Sequence, residues 1–533
     1  MPSRKVRGFA PLAGSLALLA PELALAADHD AKSCSQADVQ AAIDASTDGD
    51  TVHIPAGSCA WDSEVSWDNK DIRVLGAGIT ETQIQGDGTK FRVGAHQKAA
   101  FRISSMTLSG GSPDSVFSFK NNENSPTSGF RVDHIKFVYS GDTATDYFFI
   151  VGLVYGVIDH CSVQAPGGIF VQHYAYTEKE GDYAGTTSWS LPLDLGGESA
   201  IYVEDNQIDY GAGWFPGMND SWAGGRLVFR RNELKRPVFQ THGARGKIRG
   251  GLKLEIYDNS MISDGVAWDR IAQIRSGTGV VFNNQIQGYQ YQKATLDVPR
   301  VCDNGASEFG GWCDGTSPWD GNAGSAQTKD NGWPCLDMPG RGTTSDALPG
   351  GKQPSDPYFA WHNGGEASCR TDGGACTAEE VFECSWGYEK CDPGPPTTCD
   401  YVRVSPAQSA HTGGVFDAVN SPTPKPNYQP FTYPHPIISD CAKHPITCDP
   451  PGSSGSGGGA GTDGGSGSGG ASSGGTSSGG ASSGGAGTSS GGGAKAAGDE
   501  DDGGCGCELP RRSERSPGWL VLGLLLAARR RRR

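Results

Sequence analysis

Two short segments, VFQTHG and IAQIRSG, end on residues that can move a proton and hold an anion, His242 and Arg275. Arg245 and Arg249 follow in THGARGKIRGG, a concentration of basic groups in a chain of formal charge −16. A neutral imidazole accepts a proton and a guanidinium neutralises a carboxylate, so the set suits proton removal beside a substrate carboxyl group. His242 is the expected base, with Arg249 and Arg275 as the neutralising groups. Lys120 in FSFK and His173 in IFVQHY stand at comparable places. The competing reading gives these side chains structural tasks: capping strand ends, binding carbonyls or facing solvent. Glu204 and Asp205 are adjacent carboxylates, but neighbours on a strand point to opposite faces, so they make a poor two-acid hydrolytic pair.

What positions these residues is a repeat. Apolar residues, a polar pair and another apolar residue recur as VIDHCSV, YVEDNQI, VFRRNEL, EIYDNSMI and VVFNNQI, with weaker copies RVDHIKF, ISSMTL and FAWHNGG. Aligned, they share a pivot at Met106, Ile135, Cys161, Asn206, Asn232, Asn259, Asn284 and Asn363. The intervals are 29, 26, 45, 26, 27, 25 and 79 residues, a base period near 26 with two long insertions. That spacing predicts a solenoid of about three short parallel strands per turn, turns stacked at roughly 4.8 Å. Inward asparagines at equivalent corners, Asn206, Asn232, Asn259 and Asn284, satisfy their amides by bonding from turn to turn, which predicts an asparagine ladder. Cys161 takes the same slot and is the expected buried free thiol. Thirteen cysteines precede the tail pair, so the other twelve suffice for up to six disulfides. Ser35 caps a predicted helix whose Val39, Ala42 and Ile43 share one face and cover the first turn; Cys34 and Cys59 flank this unit and are expected to bridge it.

ADVQAAIDASTDGDTVHIPAG followed by DIRVLGAG, and later GVIDHCSV with the Asn-bearing turns, resemble the right-handed parallel β-helix proteins of the pectate-lyase-like superfamily. The resemblance spans residues 34 to 290 closely and 291 to 440 loosely. It implies an all-β, right-handed parallel β-helix solenoid with an N-terminal capping helix and a ligand groove along its side. It also implies activity on polysaccharide, with β-elimination at an acidic glycan best suited to the basic residues. Bound Ca²⁺ is a candidate for part of the neutralising role. The alternative is a non-catalytic surface adhesin or glycan-binding protein. Tyr174, Tyr176, Tyr183 and Trp189 make the long interval before Asn206 aromatic; Tyr174, Tyr176 and Trp189, with Arg245, are candidate sugar contacts, and packing of the loop against the coil is the competing reading.

The termini speak to location. Arg4, Lys5 and Arg7, an apolar stretch and Ala24-Leu25-Ala26 read as a secretory signal over 1–26. The domain is expected over 27–450, with disulfide-rich insertions at about 291–340 and 364–400. Residues 451–504 are a Gly/Ser-rich tether. Residues 505–533 resemble the myxobacterial C-terminal sorting signal: a cysteine region (Cys505, Cys507), a short apolar run and an arginine cluster. That resemblance implies a sorting protease, lipid attachment near these cysteines and outer-membrane display at the cell surface. The apolar run Trp519–Ala528 would reach only about 15 Å as a helix, half of a roughly 30 Å bilayer core, so it suits recognition better than a permanent anchor. No basic face interleaved with aromatics favours nucleic acid, and no cysteine–histidine spacing supports a zinc site.

Overall fold

Short extended runs separated by sharp corners cannot pair within themselves, so each must bond to the turn before and the turn after. The computed structural model describes residues 26–95, 100–111, 115–139, 146–164, 168–181, 183–211, 218–244, 247–263, 270–287, 293–296, 336–343, 353–364, 381–384, 402–403 and 418–449. The signal segment, most of both expected insertions, the tether and the sorting segment lie outside these residues.

The fold is a parallel β-helix with three strand columns. One turn runs Val154–Asp159, Ser162–Gln164 and Ile169–Tyr174. The next repeats it as Ile201–Glu204, Gln207–Asp209 and Met218–Trp222, paired in parallel register with the first. We call these columns 1, 2 and 3. Earlier in the chain, Arg102–Gly110 and Thr127–Tyr139 each run unbroken through columns 1 and 2. The helix Gln36–Ala45 opens the coil, with the Ser35 hydroxyl accepting from the Asp38 amide and Val39, Ala42 and Ile43 buried. A disulfide joins Cys34 to Cys59, and the Trp61 indole donates to the Cys34 carbonyl.

Between columns 1 and 2 the chain turns through a left-handed residue, His160, Asp205, Arg231, Asp258, Asn283 or His362. Side chains other than glycine resist this conformation, so something must hold it. The residue that follows does. The Asn206, Asn232 and Asn259 amides donate to the Asn232, Asn259 and Asn284 carboxamide oxygens at 3.0, 3.1 and 3.2 Å, and Asn284 donates to Asn363 at 3.2 Å. Each carboxamide nitrogen also reaches carbonyls, as Asn232 does with Val203 and Arg230. Cys161 sits in the same file, buried and unbridged, its amide donating to Asn206. The interior is mainly apolar, with Phe91, Phe117 and Phe148 stacked 5.4 and 4.8 Å apart.

The outer face of column 1 is charged yet buried. Arg131 pairs with Asp159 through two bonds of 2.9 and 2.8 Å, Arg102 pairs with Asp133, and Arg230 with Glu204. The segment 421–449 covers it, running back along the coil from its last turn. Tyr428 bonds Glu255, the Phe431 carbonyl accepts from Arg230, and the His435 amide donates to Glu204. Near its end Asp449 meets Arg102 and Arg131, and the Ile446 carbonyl accepts from Arg73. A second disulfide, Cys441–Cys448, closes this end of the strap.

Replacing Asn232 by Ala strands a buried amide and two carbonyls, so Asn232→Ala is expected to lower unfolding free energy by about 3 kcal/mol in urea titration. Glu233→Ala, one residue on and exposed, is expected to change it by less than about 0.5 kcal/mol.

Candidate functional site

On column 3 alternate side chains face outward, and register decides which. Gln172, Asp220, Gln240, Gln273 and Thr295 stand opposite one another in consecutive turns. Beside them Lys120, Val151, Tyr174 and Trp222 form a second outward file. His242 continues it, its ring stacked on Trp222 at 4.6 Å and 20°. Arg275 follows one turn on, its amide donating to the Thr241 carbonyl.

The strand Met218–Trp222 supplies the residue that gives this face its chemistry. Asp220 accepts from His242 Nδ1 at 2.6 Å, and the Gln240 carboxamide lies 3.0 Å from the same nitrogen. Asp220 and His242 are buried, 1% and 4% exposed. The second Asp220 oxygen, the Gln172 carboxamide nitrogen and the Trp222 indole nitrogen meet no hydrogen-bonding partner among the described residues. A carboxylate that fixes Nδ1–H leaves the lone pair on Nε2, the tautomer of a general base.

The expected site residues separate. His242 and Arg275 share the outward file. Arg249 does not belong to it: its guanidinium makes two bonds of 2.7 and 2.6 Å to Asp337 and lies over the Trp189 ring at 4.8 Å. Gly250 and Gln353 also bond Asp337, so this is a locked buried pair. Its charge is matched and it offers none to a substrate.

His173 is a correction of a different kind. It lies opposite Ser221, one place before Tyr174, and so faces inward. Its Nε2 donates to the Gly152 carbonyl at 3.0 Å and its Nδ1 accepts from the Arg226 amide at 3.0 Å. Trp189 is also no sugar platform, being fully buried with its indole donating to the Gly250 carbonyl. Tyr174 is buried against Trp222, and Tyr176 is half-buried at its edge. Lys120 pairs with Glu178 at 2.5 Å. Arg245, Cys505 and Cys507 lie outside the described residues.

Sequence reasoning missed Asp220, Gln172, Gln240, Gln273 and Asp337. The first four were recoverable by aligning IFVQHY, MNDSW, VFQTHG and IAQIRSG one rung apart; Asp337, 88 residues from Arg249, gave no local signal. Among the described residues no three His, Cys, Asp or Glu side chains converge as metal ligands. Ca²⁺ takes six to eight oxygens, and this outward face brings it one carboxylate, so the residues described here do not fit a calcium cage.

No protein-family model matches the chain, and no curated protein matches it. Among solved structures, the PL6 family alginate lyase AlyGC is similar, at 13% identity over 67% of this chain and 53% of that one, with a TM-score of 0.28. The match thus spans about half of that structure's length.

Two buried histidines make acid stability a direct readout of this packing. Burial lowers His173 to about 4; burial, then the Arg230 charge, lowers His435 to about 3. Both folded values lie below the unfolded value near 6.5, so their contribution is complete above that pH and is lost as pH falls toward 4 and then 3. For His173 the full effect is about 3 kcal/mol. Urea midpoints are expected to fall steadily from pH 7 to 4, and His173→Gln is expected to flatten that slope.

Proposed function

We propose that the protein acts on polysaccharide and cleaves an acidic glycan by β-elimination, with His242 as base and Arg275 neutralising the substrate carboxylate. The observation that supports this best is the Asp220–His242 pair, 2.6 Å apart on the outward face of column 3. In this scheme Nε2 takes the proton alpha to the carboxyl group. The C–H electron pair forms the new double bond as the glycosidic C–O bond breaks, the leaving oxygen takes a proton from solvent water, and the imidazolium returns its proton to solvent. Asp220 stabilises the imidazolium that results. Arg249 has no part, and its earlier role passes to Arg275 alone.

The second reading is a non-catalytic glycan-binding surface protein. The burial of His242 favours it, because a substrate must displace what covers the ring. Under either reading we place the protein outside the cell, exported by its N-terminal signal, cut by a sorting protease and held at the outer membrane through lipid near Cys505 and Cys507. This setting rests on the terminal sequence segments.

The test is a panel of acidic and neutral polysaccharides followed by ultraviolet absorbance of unsaturated ends. His242→Ala is expected to lower the rate by about 10²- to 10⁴-fold, and Arg275→Ala to act in the same direction. Activity that survives both substitutions moves the site elsewhere. Neither new double bonds nor new reducing ends across the panel would remove the enzymatic reading and leave the binding one.

A further inference from the structure

Column 2 differs from its neighbours in what its outward side chains do. From Val154 to Arg275 the outward side chains of columns 1 and 3 are buried, whereas those of column 2 are half-buried or exposed. They form two files in strict register. Ser162, Gln207, Glu233 and Ser260 make one; Gln164, Asp209, Lys235 and Ile262 make the other. Together they floor a groove of about 700 Å³ that spans four turns. At one rung per turn the floor is roughly 14 Å long.

The carboxamides and hydroxyls here contrast with those of the corner ladder. Ladder groups are saturated by one another and by backbone carbonyls, while the Ser162, Gln164, Gln207 and Ser260 side chains make no hydrogen bond within the described residues. Each can donate and accept, which is what a chain of sugar hydroxyls requires. The charges balance. Of the lining residues Asp209 and Glu233 are acidic and Lys235 is basic; Arg236, buried beside the groove, brings the second cation, and Asp209 is paired with both. A groove without net charge, on a chain of formal charge −16, gives a polyanion nothing to bind and does not repel a neutral polymer. Ile262, 45% exposed, adds an apolar contact for a sugar face.

We propose that the outward face of column 2 is a second, non-catalytic binding site for an uncharged glycan lying along the coil axis. One sugar would meet each rung or so, held by paired hydrogen bonds from the two files. The site is separate from column 3, so it would hold a polymer or a surface whether or not His242 does chemistry.

The test is titration calorimetry of the full-length protein with short linear oligosaccharides of glucose, mannose and galactose. Binding is expected for at least one neutral series, with little change between about 0.05 and 0.5 M NaCl. Gln207→Trp, which fills the groove at an exposed position, is expected to weaken it at least about tenfold, and the milder Gln164→Ala/Gln207→Ala pair to act in the same direction. His242→Ala is expected to leave it unchanged. No binding across the neutral series, binding that both groove variants retain, steep salt dependence, or loss in His242→Ala would each overturn the assignment. These outcomes are read independently of any cleavage, so failure here leaves the proposed elimination standing.

Discussion

Each turn of this coil is too small to hold itself, and its backbone bonds only to the turns on either side. Register is therefore the constraint on which everything else rests. A slip of one residue in any strand would turn its apolar set to solvent and its polar set inward. The asparagine file guards against that slip at the corner where the chain takes its left-handed residue. An Asn displaced by one place would lose its bond to the next turn and leave buried amides without partners. The ladder is thus a registration device as well as a source of stability, and it passes unbroken across the 79-residue excursion between Asn284 and Asn363.

Register also turns sequence order into side-chain files with distinct physical characters. On column 1 one file runs from Asp133 and Asp159 through Glu204 and Arg230 to Tyr257, Phe282 and Trp361. The aromatic end stacks at 4.7 and 4.3 Å, and the charged end pairs its carboxylates with arginines. Buried ion pairs of this kind contribute little net energy when intact, yet losing one partner is costly. Their presence under the strap makes its seating specific: a misplaced strap would bury charges without their matching carbonyls and Asp449.

Much of this was legible in the chain. The helix after Ser35, the Cys34–Cys59 flank, the 26-residue period and the corner asparagines all announce themselves through local spacing. The candidate site was harder, for physical reasons. His173 and His242 look equivalent in IFVQHY and VFQTHG, but they differ by one place in register, which sends one ring inward and the other outward. Trp189 and Arg249 look like surface groups because sequence does not reveal partners as distant as Gly250 and Asp337. Asp220 sits 22 residues from the imidazole it orients, in a segment with no motif of its own. Side-chain type and period belong to one strand, whereas function here depends on what the next turn places alongside.

The strap that returns along column 1 has a mechanical consequence. A coil whose chain simply left from its last turn would be peeled one rung at a time by any pull on that end. Here the last turn is followed by the segment that runs back to Arg73, Arg102 and Arg131, where Asp449 is clasped. Traction on the chain beyond Asp449 first loads this clasp and then the strap's bonds lengthwise, as a lap joint is loaded in shear. The final rungs are spared until that joint yields, so the coil is built to bear tension applied at its tail.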